Sequence, residues 1–326
     1  MSDNIELSII APMYNEEKNI DQFFQRLIPF LDNLNMNYEI ICVNDGSIDR
    51  TAEIVVEYHR SNPKIKLINF SRNFGKETAL TAGLRYARGQ GIIPIDTDLQ
   101  DPPELIATFI AEWRKGYDVV YAVRKIRHGE TWIKKLTAAL FYRIINLCSD
   151  TPIPKNTGDF RLMDRRVVEV INRLPERTRF MKGLFAWVGF KQVGVYYDRE
   201  PRYAGKTKWN YWKLWNYALD GITVFSSSAL KFWSYLGIGI SLLAFLYMIF
   251  LVTRTLIHGK DVPGYASIMV TILFLGGLQL ISLGIVGEYL SRVYSEVKKR
   301  PLYVVSDLYG LEEPEPDAPH GPGNLS

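Results

Sequence analysis

The sequence predicts an α/β fold: a mostly parallel β-sheet with helices on both faces, followed by helices that reach a membrane. Short apolar runs alternate with segments of helical periodicity over about the first 123 residues, which is typical of βαβ units. Two long uncharged segments, residues 232–253 and 262–287, then follow. With 326 residues, of which 47% are hydrophobic, the chain can hold one such domain together with a membrane segment.

The elements of the first part follow from its hydrophobic periodicity. Five apolar runs are predicted to be strands: residues 7–11, 39–43, 65–70, 91–95 and 118–123. The segments between them have the spacing of amphipathic helices: residues 19–34, 49–60, 76–87 and 103–115. Such an alternation of strands and helices predicts that helices cover both faces of the sheet.

Each uncharged segment is long enough to cross a bilayer, which takes about 20 residues, so two transmembrane helices are predicted. A soluble protein can bury one such helix, but two in succession after a complete α/β domain argue against that alternative. Basic residues on the outer flanks predict, by the positive-inside rule, a multi-pass protein of the inner (plasma) membrane with both termini cytoplasmic. These residues are Lys231, Arg292, Lys298, Lys299 and Arg300.

Two further segments have the pattern of helices that lie on a membrane surface. Residues 132–148 place apolar side chains on one face, although ordinary core packing explains this pattern equally well. The segment that starts at Trp209 adds Trp212 and Trp215 next to lysines, a composition that favours the membrane interface. Small residues in the second uncharged segment allow close helix packing, so a homo-oligomer is one expectation.

The predicted organisation therefore has five parts. A cytosolic domain spans residues 1–208, and a juxtamembrane amphipathic helix spans 209–230. The two membrane helices lie within 231–288, and a cytosolic segment follows at 289–311. The tail, 312–326, is rich in proline and acidic residues and is predicted to be disordered.

The charge and the cysteines exclude some classes of protein. The net charge of +4 is small and its basic residues are interspersed with acidic ones, so nucleic acid is not an expected partner. The two cysteines, Cys42 and Cys148, lack the spacing of metal ligands and are expected to be buried, reduced thiols. The beginning of the sequence has no basic leader before a long apolar stretch, so no cleaved signal peptide is expected.

Two acidic residues, Asp96 and Asp98, directly follow the fourth predicted strand. Side chains at the carboxyl edge of a parallel sheet point into the usual ligand crevice. At a turn both carboxylates can reach one hard cation, with Gln100 supplying a neutral oxygen, and that cation can bridge to a diphosphate. Alone, the pair is a weak signal, because aspartate is also common in turns and helix caps.

The loops after the first and second strands are acidic or rich in amides as well. Residues 12–17 read Pro-Met-Tyr-Asn-Glu-Glu, and residues 44–49 read Asn-Asp-Gly-Ser-Ile-Asp. Each has a structural alternative, as a tight turn, a helix cap or an acid that counters the helix dipole, but three such loops at one edge favour a pocket. Neither a G-x-G-x-x-G nor a P-loop sequence occurs.

Together with residues 72–76, Arg-Asn-Phe-Gly-Lys, these motifs resemble those of the inverting family 2 glycosyltransferases, which have the Rossmann-like GT-A fold. The chain resembles in particular the branch of dolichyl-phosphate mannose synthase and the bacterial GtrB-type polyprenyl-phosphate glucosyltransferases. The resemblance covers residues 5–300 and includes both C-terminal spans. The Q-x-x-R-W sequence of processive polysaccharide synthases is absent, which argues against polymer synthesis.

The resemblance implies a role for each matching position. Pro12, Tyr14, Glu16 and Asp45 would bind the nucleotide sugar. Asp96, Asp98 and Gln100 would surround a divalent metal, Mg²⁺ or Mn²⁺, on the donor diphosphate, with Asp98 counted among the catalytic residues. The sequence Thr-Gly-Asp-Phe-Arg-Leu at 157–162 resembles a later acidic motif of the family and implies that Asp159 lies near the acceptor, although Asp159 alone reads equally well as a turn residue.

Basic residues are candidates for contacts with donor or lipid phosphate. Arg202, Lys206 and Lys208 match the family's R-x-x-G-x-[ST]-[KR] loop, with a basic membrane-surface patch as the alternative. Arg124 and Arg127 follow the fifth strand and are weaker candidates, since a solvated basic loop explains them equally well.

The implied reaction is transfer of a hexose, with inversion, from a nucleotide diphosphate sugar to a polyprenyl phosphate. UDP-glucose and undecaprenyl phosphate are the first expectations. Another donor, such as GDP-mannose or a UDP-amino-pentose, and a non-lipid acceptor remain alternatives within the same fold. An inactive sugar-nucleotide sensor or a translocase scaffold is the alternative of another class, against which the set of acidic residues argues.

Overall fold

A computed structural model of the chain describes residues 5–125, 157–177, 179, 181–198, 228–258 and 264–313. The chain forms two compact units. The first contains the described residues up to 198 together with those from 300 onwards. The second contains the described residues between 228 and 299.

The described part of the first unit contains one eight-stranded sheet in the order β7-β5-β6-β4-β1-β2-β3-β8. The strands are β1 Leu7–Met13, β2 Tyr38–Asn44, β3 Ile65–Phe70, β4 Gly91–Pro94, β5 Val119–Arg124, β6 Thr157–Asp164, β7 Gln192–Tyr197 and β8 Val305–Tyr309. Strands β4, β1, β2 and β3 are parallel neighbours, as are β5 and β7. Strand β6 runs antiparallel to both of its neighbours, and β8 runs antiparallel to β3. The predicted α/β class with a mostly parallel sheet is confirmed.

Six described helices accompany the sheet, and two long helices form the second unit. They are α1 Ile20–Asn33, α2 Thr51–Ser61, α3 Lys76–Tyr86, α4 Leu105–Arg114, α5 Arg165–Arg173, α6 Met181–Trp187, α7 Ser228–His258 and α8 Tyr265–Val297. The bounds of β1 to β5 and of α1 to α4 agree with those predicted from the sequence to within two residues. Hydrophobic periodicity was therefore a sufficient guide to the first half of the domain.

The core lies between the central strands and the helices that cover them. All seven residues of β2 are buried, as expected for a strand of a parallel sheet that is covered on both faces. Helix α1 contributes Phe23, Phe24, Leu27 and Leu31, which lie on one face at helical spacing and are fully buried. Each such side chain contributes about 1.5–3 kcal/mol to stability by its removal from water.

Three strands were not predicted. Strand β6 contains the motif at 157–162, so the interpretation of Asp159 as a turn residue is wrong. Its sequence lacks a clear apolar run, because Asp159 and Arg161 interrupt it, and pairing with β4 and β5 makes it a strand. Strand β8 is a short, partly exposed edge strand whose pairing with β3 follows a return of the chain from α8 to the sheet.

The second unit supports only part of the membrane prediction. Both predicted spans are helical in their described parts, within α7 and α8. Among the described residues, one helix, Val270–Val297, is long and apolar enough to cross a membrane, and a shorter apolar helix, Tyr235–Tyr247, does not reach that length. A topology with two spans is therefore not confirmed.

Several predictions concern residues outside the described part of the chain. These are the surface helix at 132–148, the juxtamembrane helix that starts at Trp209 and the part of the tail after residue 313. The domain boundaries predicted from the sequence stay predictions.

A buried polar cluster around Glu39 joins the first three strands. The Glu39 carboxylate, 1% exposed, accepts hydrogen bonds from the Ser8 hydroxyl at 2.5 Å and the Arg88 amide at 2.7 Å. Lys66 Nζ donates to its other oxygen at 2.7 Å. Because Ser8 also accepts a bond from the Gly89 amide, the cluster ties β1, β2 and β3 to the turn that precedes β4.

Replacement of Glu39 by alanine is expected to lower the free energy of unfolding by about 3–5 kcal/mol, because it leaves the mostly buried charge of Lys66 without its counterion. Glu53→Ala is the matched control, since it removes an exposed ion pair with Arg50 and is expected to cost less than about 1 kcal/mol. Denaturant unfolding of the purified full chain measures both values. Equal losses for the two variants would show that the Glu39 cluster does not stabilise the sheet.

Candidate active site

The candidate site lies at the carboxyl edge of the parallel strands. Strands β1, β2, β3 and β4 run in the same direction, so the loops that follow them meet at this edge. The Asp45 amide donates to the Met13 carbonyl at 2.8 Å, and the Ile95 amide donates to the Ile10 carbonyl at 2.9 Å. The hydrogen bonding of adjacent strands thus continues to the point where the loops of the site begin.

The loops after β1 and β2 interlock through side chain to backbone hydrogen bonds. The Asn15 amide donates to Ser47 Oγ, and the Ile48 amide donates to Asn15 Oδ1, both at 2.9 Å. The Glu16 amide donates to Thr51 Oγ1 at 2.9 Å, and the Glu16 carboxylate accepts a bond from Asn19 Nδ2. These bonds hold the loop that carries Tyr14 and Glu16, directly after Pro12 and Met13 of β1, against the start of α2.

Asp45 anchors the loop after β3. Its carboxylate accepts hydrogen bonds from the Phe74 amide at 2.6 Å and the Gly75 amide at 2.9 Å. Burial raises the pKa of Asp45, and these amides and the charge of Arg72 act in the opposite direction. Gly46 has a φ of +62°, and a Cβ there would collide with the backbone of Arg72, so the close approach of the two loops requires glycine. The predicted contact of Asp45 with a nucleoside stays a prediction.

The acidic turn after β4 bends sharply at Leu99, which has a φ of +57°. Asp98 is 9% exposed and its Oδ1 accepts a bond from the Gln100 amide at 3.2 Å. Asp101, also buried, accepts a hydrogen bond from the Tyr197 hydroxyl. The turn is therefore held from two sides, and Asp96 stays more exposed than Asp98.

Lys76 joins this turn to β6. Its Nζ lies 2.7 Å from Asp96 Oδ1 and 2.8 Å from Asp159 Oδ2. Burial acts to lower the pKa of Lys76, but the charges of Asp159 and Asp96 outweigh it and hold the pKa above its ordinary value. Asp159 Oδ1 is buried and has no hydrogen-bond partner among the described residues.

Further charged residues surround Asp159. Burial acts to raise its pKa, but the charges of Lys76 and Lys182 outweigh it, so the pKa lies below its ordinary value and the carboxylate is ionised. Burial, and then the charge of Asp159, raise the pKa of the neighbouring Glu77 to about 7. The buried Arg161 donates to the Gly158 carbonyl at 2.8 Å and lies over the ring of Phe185.

Arg124 extends the basic side of the site. Its Nε donates to the Tyr197 hydroxyl at 3.3 Å, and a Cβ added at Gly158 would lie 2.8 Å from its Nη2. The guanidinium thus lies beside Gly158 at the start of β6, and Gly158 directly precedes Asp159. A glycine at position 158 leaves room for this side chain.

Most of the residues predicted for the site come together at this edge, and the others lie outside the described residues. The structure brings together Pro12, Tyr14, Glu16, Asp45, Asp96, Asp98, Gln100, Arg124 and Asp159. The residues outside its described part are Arg127, Arg202, Lys206 and Lys208.

Sequence reasoning missed the contacts of Lys76, Glu77 and Lys182. Lys76 belongs to the Arg-Asn-Phe-Gly-Lys motif at 72–76, so that motif was the available signal for it. Nothing in the local sequence around Glu77 or Lys182 distinguishes these residues from the many other charged residues of surface helices.

The donor set at the acidic turn consists of oxygen atoms. Among the described residues, no group of three His, Cys, Asp or Glu side chains could hold a metal ion. Mg²⁺ is commonly bound by one or two carboxylates together with substrate phosphates rather than by an all-protein cage. Asp96 and Asp98 fit a metal of that shared kind, and the ammonium of Lys76 on Asp96 indicates that this position attracts a cation.

Comparisons with known proteins place the chain in a family. The model of glycosyl transferase family 2 matches residues 8–171. An uncharacterized glycosyltransferase of Synechocystis sp. is 63% identical over 94% of this chain and 97% of its own length. A prophage bactoprenol glucosyl transferase homolog of Escherichia coli is 46% identical over 92% of this chain and 98% of its own length.

Among solved structures, glucosyl-3-phosphoglycerate synthase from Mycobacterium tuberculosis is 19% identical and covers 68% of this chain and 79% of its own, with a TM-score of 0.43. The family match spans β1 to β6 and so includes every loop of the candidate site described above. The resemblance drawn from the motifs is confirmed: the chain belongs to glycosyl transferase family 2.

Proposed function

We propose that this glycosyltransferase transfers glucose from UDP-glucose to undecaprenyl phosphate, with inversion, and forms a polyprenyl-monophosphoryl glucose. The observation that carries the proposal is the 46% identity, over more than nine-tenths of both chains, to the bactoprenol glucosyl transferase of Shigella phage SfII and to the prophage homolog of Escherichia coli. The aligned length, 92% of this chain, is long enough to include the positions of Asp96, Asp98 and Asp159, which meet at one edge of the sheet.

The interlocked loops after β1 and β2 are the proposed binding site of the nucleoside. Pro12 lies near the end of β1, Tyr14 and Glu16 lie on the loop that follows it, and Asp45 begins the second loop. Hydrogen bonds between the loops and from Asp45 to the next loop hold this surface in place before a ligand arrives. Such preorganisation reduces the entropy that is lost when the donor binds.

The donor diphosphate is proposed to lie over the acidic turn. Asp96, Asp98 and Gln100 would hold a divalent metal, Mg²⁺ or Mn²⁺, together with the phosphates. When bound, the metal would act as a Lewis acid on the departing diphosphate. Lys76 adds a positive charge beside Asp96, where negative charge builds up as the nucleotide leaves.

The acceptor phosphate does not need a strong general base to act as a nucleophile. A phosphate monoester has its second pKa near ~6 and is largely ionised at neutral pH. Asp159 has a lowered pKa and is therefore a poor proton acceptor, so its proposed role is to orient the acceptor or the sugar. Arg124, whose guanidinium lies beside Gly158, could pair with the acceptor phosphate, and Arg127, Arg202, Lys206 and Lys208 remain proposals of the same kind.

The lipid acceptor accounts for the long helices of the second unit. A prenyl chain stays in the bilayer, so its phosphate is available only at the membrane surface. Helix α8 exposes large apolar side chains such as Leu280 and Leu283, which supports a lipid-facing role. We propose two spans in the plasma membrane with the catalytic domain and both termini cytoplasmic, and a homo-oligomer formed through the spans.

The proposal is tested by incubating the purified full chain with undecaprenyl phosphate, Mg²⁺ or Mn²⁺ and, in turn, radiolabelled UDP-glucose, GDP-mannose and a UDP-amino-pentose. Label is expected to enter the lipid from UDP-glucose. Labelling from another donor would change the proposed sugar. Turnover on soluble acceptors without prenyl phosphate, or no turnover with any donor, would overturn the proposed acceptor or the proposed activity.

Asp98→Ala is expected to reduce glucose transfer by about 10²-fold or more, because the departing diphosphate loses part of its charge stabilisation. Transfer to the lipid is measured under initial-rate conditions, and thermal unfolding shows whether the variant is folded. Asp21→Ala, on an exposed turn of α1, is the control and should transfer at the wild-type rate. A near-normal rate for Asp98→Ala would remove Asp98 from the proposed metal site.

Asp159→Asn is expected to lower kcat/KM for the lipid by about 10²-fold through misplacement of the reactants while leaving the acidic limb of the pH profile near ~6. That limb belongs to the acceptor phosphate, because Asp159 is ionised well below this pH. Glu77→Gln tests whether the neighbouring Glu77 carboxyl, whose pKa is raised to about 7, contributes to the same limb of the pH profile. Disappearance of the acidic limb in Asp159→Asn would instead identify Asp159 as the titrating base.

A further inference from the structure

The backbone position of Lys76 is set by the residues that precede it. It is the first residue of α3, directly after Phe74 and Gly75, whose amides are held by the Asp45 carboxylate. Gly75 has a φ of +100°, which turns the chain into the helix at this point. The backbone of Lys76 is thus fixed from the loop after β2, and its side chain extends towards the loop after β4.

The Lys76 ammonium forms ion pairs with two carboxylates that have other roles in the proposed function: Asp96, assigned to the metal, and Asp159, assigned to the acceptor. Its Nζ lies 2.7 Å and 2.9 Å from the two oxygens of Asp96 and 2.8 Å from Asp159 Oδ2. The side chains of Lys76, Asp96 and Asp159 are 41%, 30% and 16% exposed. The bridge is therefore open to solvent on one side, and the flexible lysine can leave it without unfolding α3.

A divalent cation and an ammonium compete for Asp96. Both are attracted by the same two oxygens, and each repels the other at the distances that a shared carboxylate imposes. The described residues also lack a third acidic, histidine or cysteine ligand that could compensate for this repulsion. A diphosphate can compensate for it, because it brings negative charge for both cations and new acceptors for the lysine.

We propose that Lys76 is an internal counterion that keeps Asp96 neutralised in the donor-free enzyme and moves to the donor diphosphate when nucleotide sugar and metal bind. Metal binding is then coupled to donor binding, and the empty enzyme does not hold the ion by itself. Release of Lys76 from Asp159 at the same step frees the second carboxylate for the acceptor side. The inference rests on the proposed metal-dependent transfer and adds to it an order of binding.

The test measures Mn²⁺ binding to the purified full chain without nucleotide, by the electron paramagnetic resonance signal of free Mn²⁺. Lys76→Met is expected to bind Mn²⁺ about tenfold more tightly than the wild type, because the competing charge is gone, although its glucose transfer falls. Lys76→Arg retains a cation and should bind Mn²⁺ as weakly as the wild type. Lys115→Met makes the same change of charge at an exposed ion pair with Glu112 and should leave Mn²⁺ binding unchanged.

Two outcomes would overturn the inference. One is that Lys76→Met, or Lys76→Gln if the first variant does not fold, binds Mn²⁺ no more tightly than the wild type. The other needs no variant: the wild type would bind Mn²⁺ as tightly without UDP as with it. The metal dependence of glucose transfer separates this inference from the proposed function. If transfer requires metal, either outcome rejects only the role of Lys76. If transfer needs no metal, the metal site itself is rejected.

Discussion

Parallel pairing of β1, β2, β3 and β4 is the constraint on which the site depends. Residues on adjacent strands are in register, so the four strands end side by side at the carboxyl edge of the sheet. Three loops that are distant in sequence thereby become neighbours: the hydrogen bonds from Asn15 to Ser47 and from Phe74 to Asp45 join residues that are 32 and 29 positions apart. The helices that cover both faces supply the apolar burial that keeps the strands in this order.

The antiparallel strand β6 completes the site. Because β6 runs opposite to β4, it begins at the edge where β4 ends, and Asp159, its third residue, enters the site from the other side. Two carboxylates then face one another, and a cation between them relieves their mutual repulsion. Lys76 is that cation, and the charges of Lys182 and Arg161 also act on Asp159.

Hydrophobic periodicity determined the first half of the fold. The runs of apolar residues in β1 to β5 and the amphipathic spacing of α1 to α4 are local properties, and they placed these elements to within two residues. The polar loops after β1, β2 and β4 were also evident, because their acidic and amide residues directly follow buried strands. From these, and from the motifs, the family and the approximate location of the site could be predicted.

Tertiary structure alone decided which charges meet. Strands β6 and β8 have weak local signals and exist because a neighbouring strand offers unpaired backbone groups. Lys76, a residue at the start of a helix in sequence, became the bridge between Asp96 and Asp159 because three loops converge on it. Local sequence specifies how a segment folds, but Coulomb interactions depend on distances between segments, and the pairing of the strands sets those distances.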